Sequence, residues 1–247
     1  MSETRKLPLA PRPPRAGWTT SILVCACLVC ACLAATAGAQ PQVTAPQPTV
    51  PQIFTLMGQY VRVAYNNEGF VTLGYRVAQQ SVGDEWLMLE VGLTMRSPAK
   101  NYTMKRENFT LKTPDGGAIG LAPQSEYGKA NLRHIDMLQR VVRDPINYFP
   151  IDASRGCTLQ FFAAQGSMGP KLSFDEVELS SDRGCVGRLF FHVPGGIKFG
   201  QHWLIVRFSE SEVQVPFRIL TKEEAKQFED SWQEIKKQHD ASYGKKD

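Results

Sequence analysis

The chain has 247 residues, 43% of them hydrophobic, with 28 Lys and Arg against 24 Asp and Glu and a formal net charge of +4. Residues 1–39 hold four basic side chains and one acidic, so the rest carries 24 basic against 23 acidic. A balance that even leaves no electrostatic footprint for nucleic acid.

Arg5, Lys6, Arg12 and Arg15 precede the apolar run from Ile22 to Ala35, and Ala37-Gly38-Ala39 has the small-x-small pattern that a signal peptidase reads. This predicts a leader over residues 1–39, export, and cleavage before Gln40. A retained membrane anchor is the rival, because the run falls just short of the ~20 apolar residues a spanning helix wants. A lipoprotein ranks third, since Ala26-Cys27 and Ala31-Cys32 put a small residue before a cysteine but without leucine in the leading position. Residues 40–57 begin Gln-Pro-Gln-Val-Thr-Ala-Pro-Gln-Pro, a composition that disfavours helix and predicts an extended Pro/Gln-rich linker.

From residue 58 to 220 the apolar period is two, the pattern of strands with one buried face. Val61, Val63 and Tyr65 alternate with Arg62 and Ala64; Val71, Leu73, Tyr75 and Val77 follow; Leu87, Leu89, Val91, Leu93 and Met95 form the clearest run. Residues 109–112 and 118–121 flank Pro114-Asp115-Gly116-Gly117, whose residue types favour a reversal. Further strands are expected at 158–162, 177–179, 186–193, 203–208 and 213–219. About nine short strands with turn signals between them predict a mainly β, antiparallel sandwich, since a parallel sheet would need crossover helices. One helical interruption is expected between Ala130 and Arg143, where Leu132, Ile135, Leu138 and Val142 recur at helical spacing before Asp144-Pro145.

Residues 221–247 predict a C-terminal amphipathic helix and basic tail. The capping box Thr221-Lys222-Glu223-Glu224 opens it, and Ala225, Phe228, Trp232 and Ile235 form one apolar stripe. Docking on the sheets is the plainer expectation; otherwise Phe228, Trp232 and Ile235 form a partner-binding site.

Four of the six cysteines lie in the leader, leaving Cys157 and Cys185 as an even pair in an exported chain, where a disulfide is favoured. Gly166-Ser167-Met168-Gly169 lacks the spacing of a nucleophile elbow. His134, His192, His202 and His239 show no metal-ligand spacing, and the acids Asp175, Glu176, Glu178 and Asp182 lack the spaced pattern of a calcium loop. No catalytic residue and no cofactor follow from the sequence.

Three segments carry a resemblance. They are Asp84-Glu85-Trp86-Leu87-Met88-Leu89-Glu90-Val91, then Asn108-Phe109-Thr110-Leu111-Lys112-Thr113-Pro114-Asp115-Gly116, then Gly184-Cys185-Val186-Gly187-Arg188-Leu189-Phe190-Phe191-His192-Val193-Pro194. Their order resembles a bacterial family of extracytoplasmic immunoglobulin-like (Ig-like) domains of unknown function, similar to secreted immunoprotective antigens. The resemblance implies an Ig-like fold and a periplasmic or secreted binding or structural module, not an enzyme, whose partner is an envelope protein or surface polymer. Contact with a membrane is then confined to an N-terminal anchor. The alternative is an envelope ligand-binding protein or hydrolase that uses His192, His202 and the acids from Asp175 to Asp182.

Overall fold

The structure, a computed structural model, describes residues 46–142, 144–163 and 172–243. Its elements in chain order are β1 (Ile53–Gly58), β2 (Val61–Tyr65), β3 (Gly69–Gly74), α1 (Arg76–Gln80), β4 (Trp86–Met95) and β5 (Tyr102–Lys105). After a short 3-10 turn come β6 (Phe109–Lys112), β7 (Ala118–Gly120), α2 (Gln124–Tyr127) and α3 (Arg133–Val141). The chain closes with β8 (Arg155–Leu159), β9 (Glu176–Leu179), β10 (Arg183–His192), β11 (Gly200–Arg207), β12 (Glu212–Ile219) and α4 (Lys222–Tyr243).

A six-stranded sheet runs in the order β1-β2-β3-β4-β10-β8, a four-stranded sheet β12-β11-β6-β7, and β5 pairs with β9 in a third. The two larger sheets share one core, with β12 packed across β2 and β3. Ala64, Val71, Leu73, Leu89 and Leu93 from one meet Phe109, Leu111, Leu204, Val206, Val213 and Val215 from the other. Each such side chain stabilises the fold by about 1.5–3 kcal/mol when fully buried. The protein is therefore mainly β, built on multi-stranded antiparallel sheets with few helices.

Several expectations change. The strand β1 occupies residues 53–58, all but the last inside the stretch expected to be linker, and β5 had no anticipated counterpart. Val77 lies in α1 rather than at the end of a strand, because Tyr75 leaves the ladder and the chain turns helical. The interrupting helix is shorter than residues 130–143, spanning Arg133–Val141 behind the separate turn α2. The pairing is not wholly antiparallel: β8 lies parallel to β10, with Cys157 opposite Cys185. The long connection between β8 and β10, which contains β9, allows that parallel return. The predicted leader and Ser167 lie outside the described residues.

Between Leu87 and Met95 every residue of β4 is buried, so both faces of this strand are covered. One cover is the second sheet. The other is the segment after α3, which the Asp144 carboxylate fixes through two bonds from the Arg76 guanidinium at 2.8 and 2.9 Å. Ile146 to Phe149 then lie over glycines: a Cβ at Gly74 would fall 2.9 Å from Ile146 Cγ2, and one at Gly92 would fall 2.7 Å from Phe149 Cζ. Thr72 Oγ1 donates to the Tyr148 carbonyl at 2.8 Å and ties the crossing to β3. Gly92→Ala should therefore push Phe149 off the sheet, at a cost of about 1–3 kcal/mol. Thermal unfolding checks this, and an unchanged melting temperature would show that the segment yields freely.

Candidate functional site

Four strands end the two larger sheets: β1, β8, β12 and β7. A terminal strand offers unpaired N–H and C=O groups to any other strand, so natural sheets shield these edges. The β12 edge is shielded at successive positions. The Gln52 amide accepts from the Gln214 N–H at 3.0 Å and donates to the Gln214 carbonyl at 2.7 Å, as a neighbouring strand would. Asn66 Nδ2 donates to the Glu212 carbonyl at 3.3 Å. Pro216, two residues beyond Gln214, has no N–H to offer. The β7 strand is only three residues long, and β8 carries Arg155 and the disulfide cysteine.

Among the described residues the outer edge of β1 has no comparable side-chain block from Ile53 to Met57, and its pairing with β2 shifts register between Leu56 and Gly58. Its sequence, Ile-Phe-Thr-Leu-Met-Gly, holds neither charge nor proline, and its large side chains face solvent: Ile53 is 55% exposed, Phe54 61%, Leu56 42% and Met57 43%. The ladder sets Phe54 opposite Ala64 and Leu56 opposite Arg62, so these side chains share one face of the sheet, while Ile53 and Thr55 share the other. On the first face Phe54 and Leu56 line a groove of about 330 Å³ with Arg62, Pro216, Phe217 and Arg218.

Arg62 is the charged group of that groove's β2 wall. Its guanidinium donates to the carbonyls of Gly58, Gln59 and Val61 at 3.1–3.3 Å and to the Tyr75 hydroxyl at 2.6 Å. Burial pulls the Arg62 pKa below its ordinary value, and burial likewise pushes the Tyr75 hydroxyl up to about 12. Across the groove Arg218 is paired with Glu224 at 2.6 Å.

Helix α4 stands beside this surface. Thr221 and Glu224 close the expected capping box, with the Glu224 carboxylate accepting from the Thr221 N–H at 3.0 Å and the Thr221 hydroxyl from the Glu224 N–H at 3.2 Å. Phe228 meets the Tyr60 ring edge-on at 6.4 Å, and the Glu229 carboxylate accepts from the Gln59 amide. Trp232 lies 6.5 Å from Phe228, and Ile235 is exposed. The three residues proposed for partner binding thus run from a docked end at Phe228 to an open end at Ile235.

The histidines and acids do not assemble into one face. His192 stacks on Trp86 at 5.2 Å and pairs with Glu85 and Glu126; His134 Nδ1 lies 2.8 Å from Asp84. His202 is buried on Phe217, with Nδ1 3.1 Å from the Gly200 carbonyl, and lines a separate cleft of about 190 Å³ with the Asp115–Lys198 pair. Lys198 first, then the Thr113 hydroxyl, holds Asp115 well below the usual carboxylate range. Asp182 is engaged by the Ser180 hydroxyl and Arg155, while Glu178 accepts from Asn101 at 3.4 Å. Among the described residues no group of three His, Cys, Asp or Glu is placed to hold a metal ion, and no helix is long and apolar enough to cross a membrane.

The bond between Cys157 and Cys185 is formed, joining β8 to β10. No family model, curated protein or solved structure matches the chain.

Proposed function

We propose that this chain is an exported, non-enzymatic Ig-like β-sandwich of the bacterial envelope that binds a protein partner at the edge formed by β1. The observation that carries the reading is the contrast between edges, with β12 blocked at successive positions and β1 left apolar, uncharged and exposed. Exposed apolar patches of this kind mark interaction surfaces, and an open strand edge is a recurrent site for partner chains. The disulfide supports an oxidising compartment, in line with the leader expected over residues 1–39. A hydrolase using His192, His202 and the Asp175–Asp182 acids finds less support, because their partners are separate residues on separate elements.

The test is site-specific photo-cross-linking in bacterial cells that produce the full chain. A photoreactive residue at position 54 is expected to yield one discrete protein adduct, while the same residue at position 151, where Ile151 is 97% exposed, yields none. Equal adduct patterns from the two positions would sink the reading.

A further inference from the structure

We propose that the β1 edge takes up an extended apolar segment of the partner as an added strand, and that a carboxylate of this segment pairs with Arg62. The inference rests on the reading of β1 as the binding edge and adds the chemistry of what binds there.

Strand addition fits because β1 ends the six-stranded sheet, and its outer edge pairs with no strand among the described residues. An added strand would alternate its side chains between two apolar faces. Those on one side would enter the groove under Phe54 and Leu56, toward Pro216 and Phe217; those on the other would lie along Ile53 and Thr55. Apolar residues are thus wanted at both sets of positions, unlike in a strand with one wet face.

The charge requirement comes from Arg62. Among the described residues its hydrogen-bond partners are three backbone carbonyls and a phenol, all neutral; Arg96 and Arg106 also bond backbone carbonyls but do not line this groove, whereas Arg218 across it meets a carboxylate. A strand laid along β1 would cover the groove and remove water from the guanidinium. Burying an unpaired charge is costly, so the covering segment must bring a negative group. A second copy of this chain paired through β1 does not meet that need, since residues 46–60 contain no Asp or Glu.

Panning a phage library of short random peptides on the immobilised full chain provides the test. The selected peptides are expected to be apolar at most positions, with Asp or Glu recurring at one of them. Changing that acid to its amide in a synthetic copy should weaken binding to the unmodified chain by about tenfold. The same change should have no effect on the Arg62→Gln variant and its full effect on Arg62→Lys, with near-UV circular dichroism confirming that each variant is folded. Leu56→Lys should abolish binding of every selected peptide. Peptides without a recurring acid, or an acid-to-amide change that is silent on the unmodified chain, would overturn the carboxylate inference. The β1 edge would still stand as the site if Leu56→Lys removed their binding. Sedimentation of the free chain as a dimer that Leu56→Lys dissociates would assign the edge to a second copy and also overturn the inference. If no peptide is selected and position 54 yields no cross-link, both readings fall together.

Discussion

Removing the Cys157–Cys185 bond, by Cys157→Ser with Cys185→Ser, is expected to lower the stability of the protein by about 3–4 kcal/mol. The bond joins residues 28 apart in sequence, and in the chain-entropy account a loop of that span leaves the unfolded ensemble with far fewer conformations to lose. Its location adds a second reason. The two cysteines face each other in the parallel pairing of β8 with β10, their Cα atoms 4.3 Å apart, and β8 ends its sheet with Arg155 and Gly156 exposed. Besides the bond, β8 is held by its ladder to β10 and by Arg155 on Asp182, and it approaches Gly187 so closely that a Cβ there would stand 2.2 Å from the Leu159 carbonyl oxygen. Reduction therefore loosens an edge as well as the unfolded-state constraint. Urea unfolding of the oxidised protein, the reduced protein and the double variant measures the effect. Reduced protein and variant should share one midpoint well below that of the oxidised form, and three coincident midpoints would refute the assignment.

What was legible in the sequence follows from which side chains of each strand line the shared core. Leu87, Leu89, Val91, Leu93 and Met95 alternate cleanly, and so do Val213, Val215, Phe217 and Ile219, because each set lines the shared core. The helix that begins at Lys222 was equally plain, since a capping box is a local device and Thr221 and Glu224 satisfy it without help from the fold. The strand β1 was not legible. Ile53, Phe54, Leu56 and Met57 are all exposed, so no alternation sets them apart from the Pro/Gln-rich stretch they follow. The segment from Ile146 to Phe149 is aperiodic because it crosses the sheet instead of joining it, and the glycines beneath it come from β3, β4 and β10, remote from one another in sequence. The candidate site shared that fate. The setting of Arg62 depends on Tyr75, which the β2–β3 hairpin brings near, and on Pro216 and Phe217, which only the packing of β12 over β2 brings near. The pair Cys157 and Cys185, in contrast, was readable by counting cysteines beyond residue 39.

A strong acid dependence of stability is expected from His202. Burial depresses its pKa to about 4, against an ordinary value of 6.5, and outweighs the opposing pull of the Gly200 carbonyl and the Asp115 carboxylate. The imidazole is therefore neutral in the folded protein down to about pH 4, while in the unfolded chain it takes up a proton near its ordinary value. Between those values the unfolded state binds more protons, so stability is full above about pH 6.5 and falls as the pH drops toward the folded pKa. The total loss is about 3 kcal/mol, from a difference of roughly two and a half units at 1.36 kcal/mol each. Nearby charges do not cancel it, because Asp115 is already committed to Lys198 at 2.8 Å. Carboxylates protonated in the same range also weaken the fold, so the measurement is a difference: urea unfolding of the unmodified protein and of His202→Gln, from about pH 7 to about pH 4. The variant should be less stable near neutrality, having lost the stack on Phe217, yet the gap between the two should narrow steadily below about pH 6.5. A gap that stays constant across the range would mean that His202 takes up its proton equally well in the folded and unfolded states, and that its place behind the cleft does not exclude the charge.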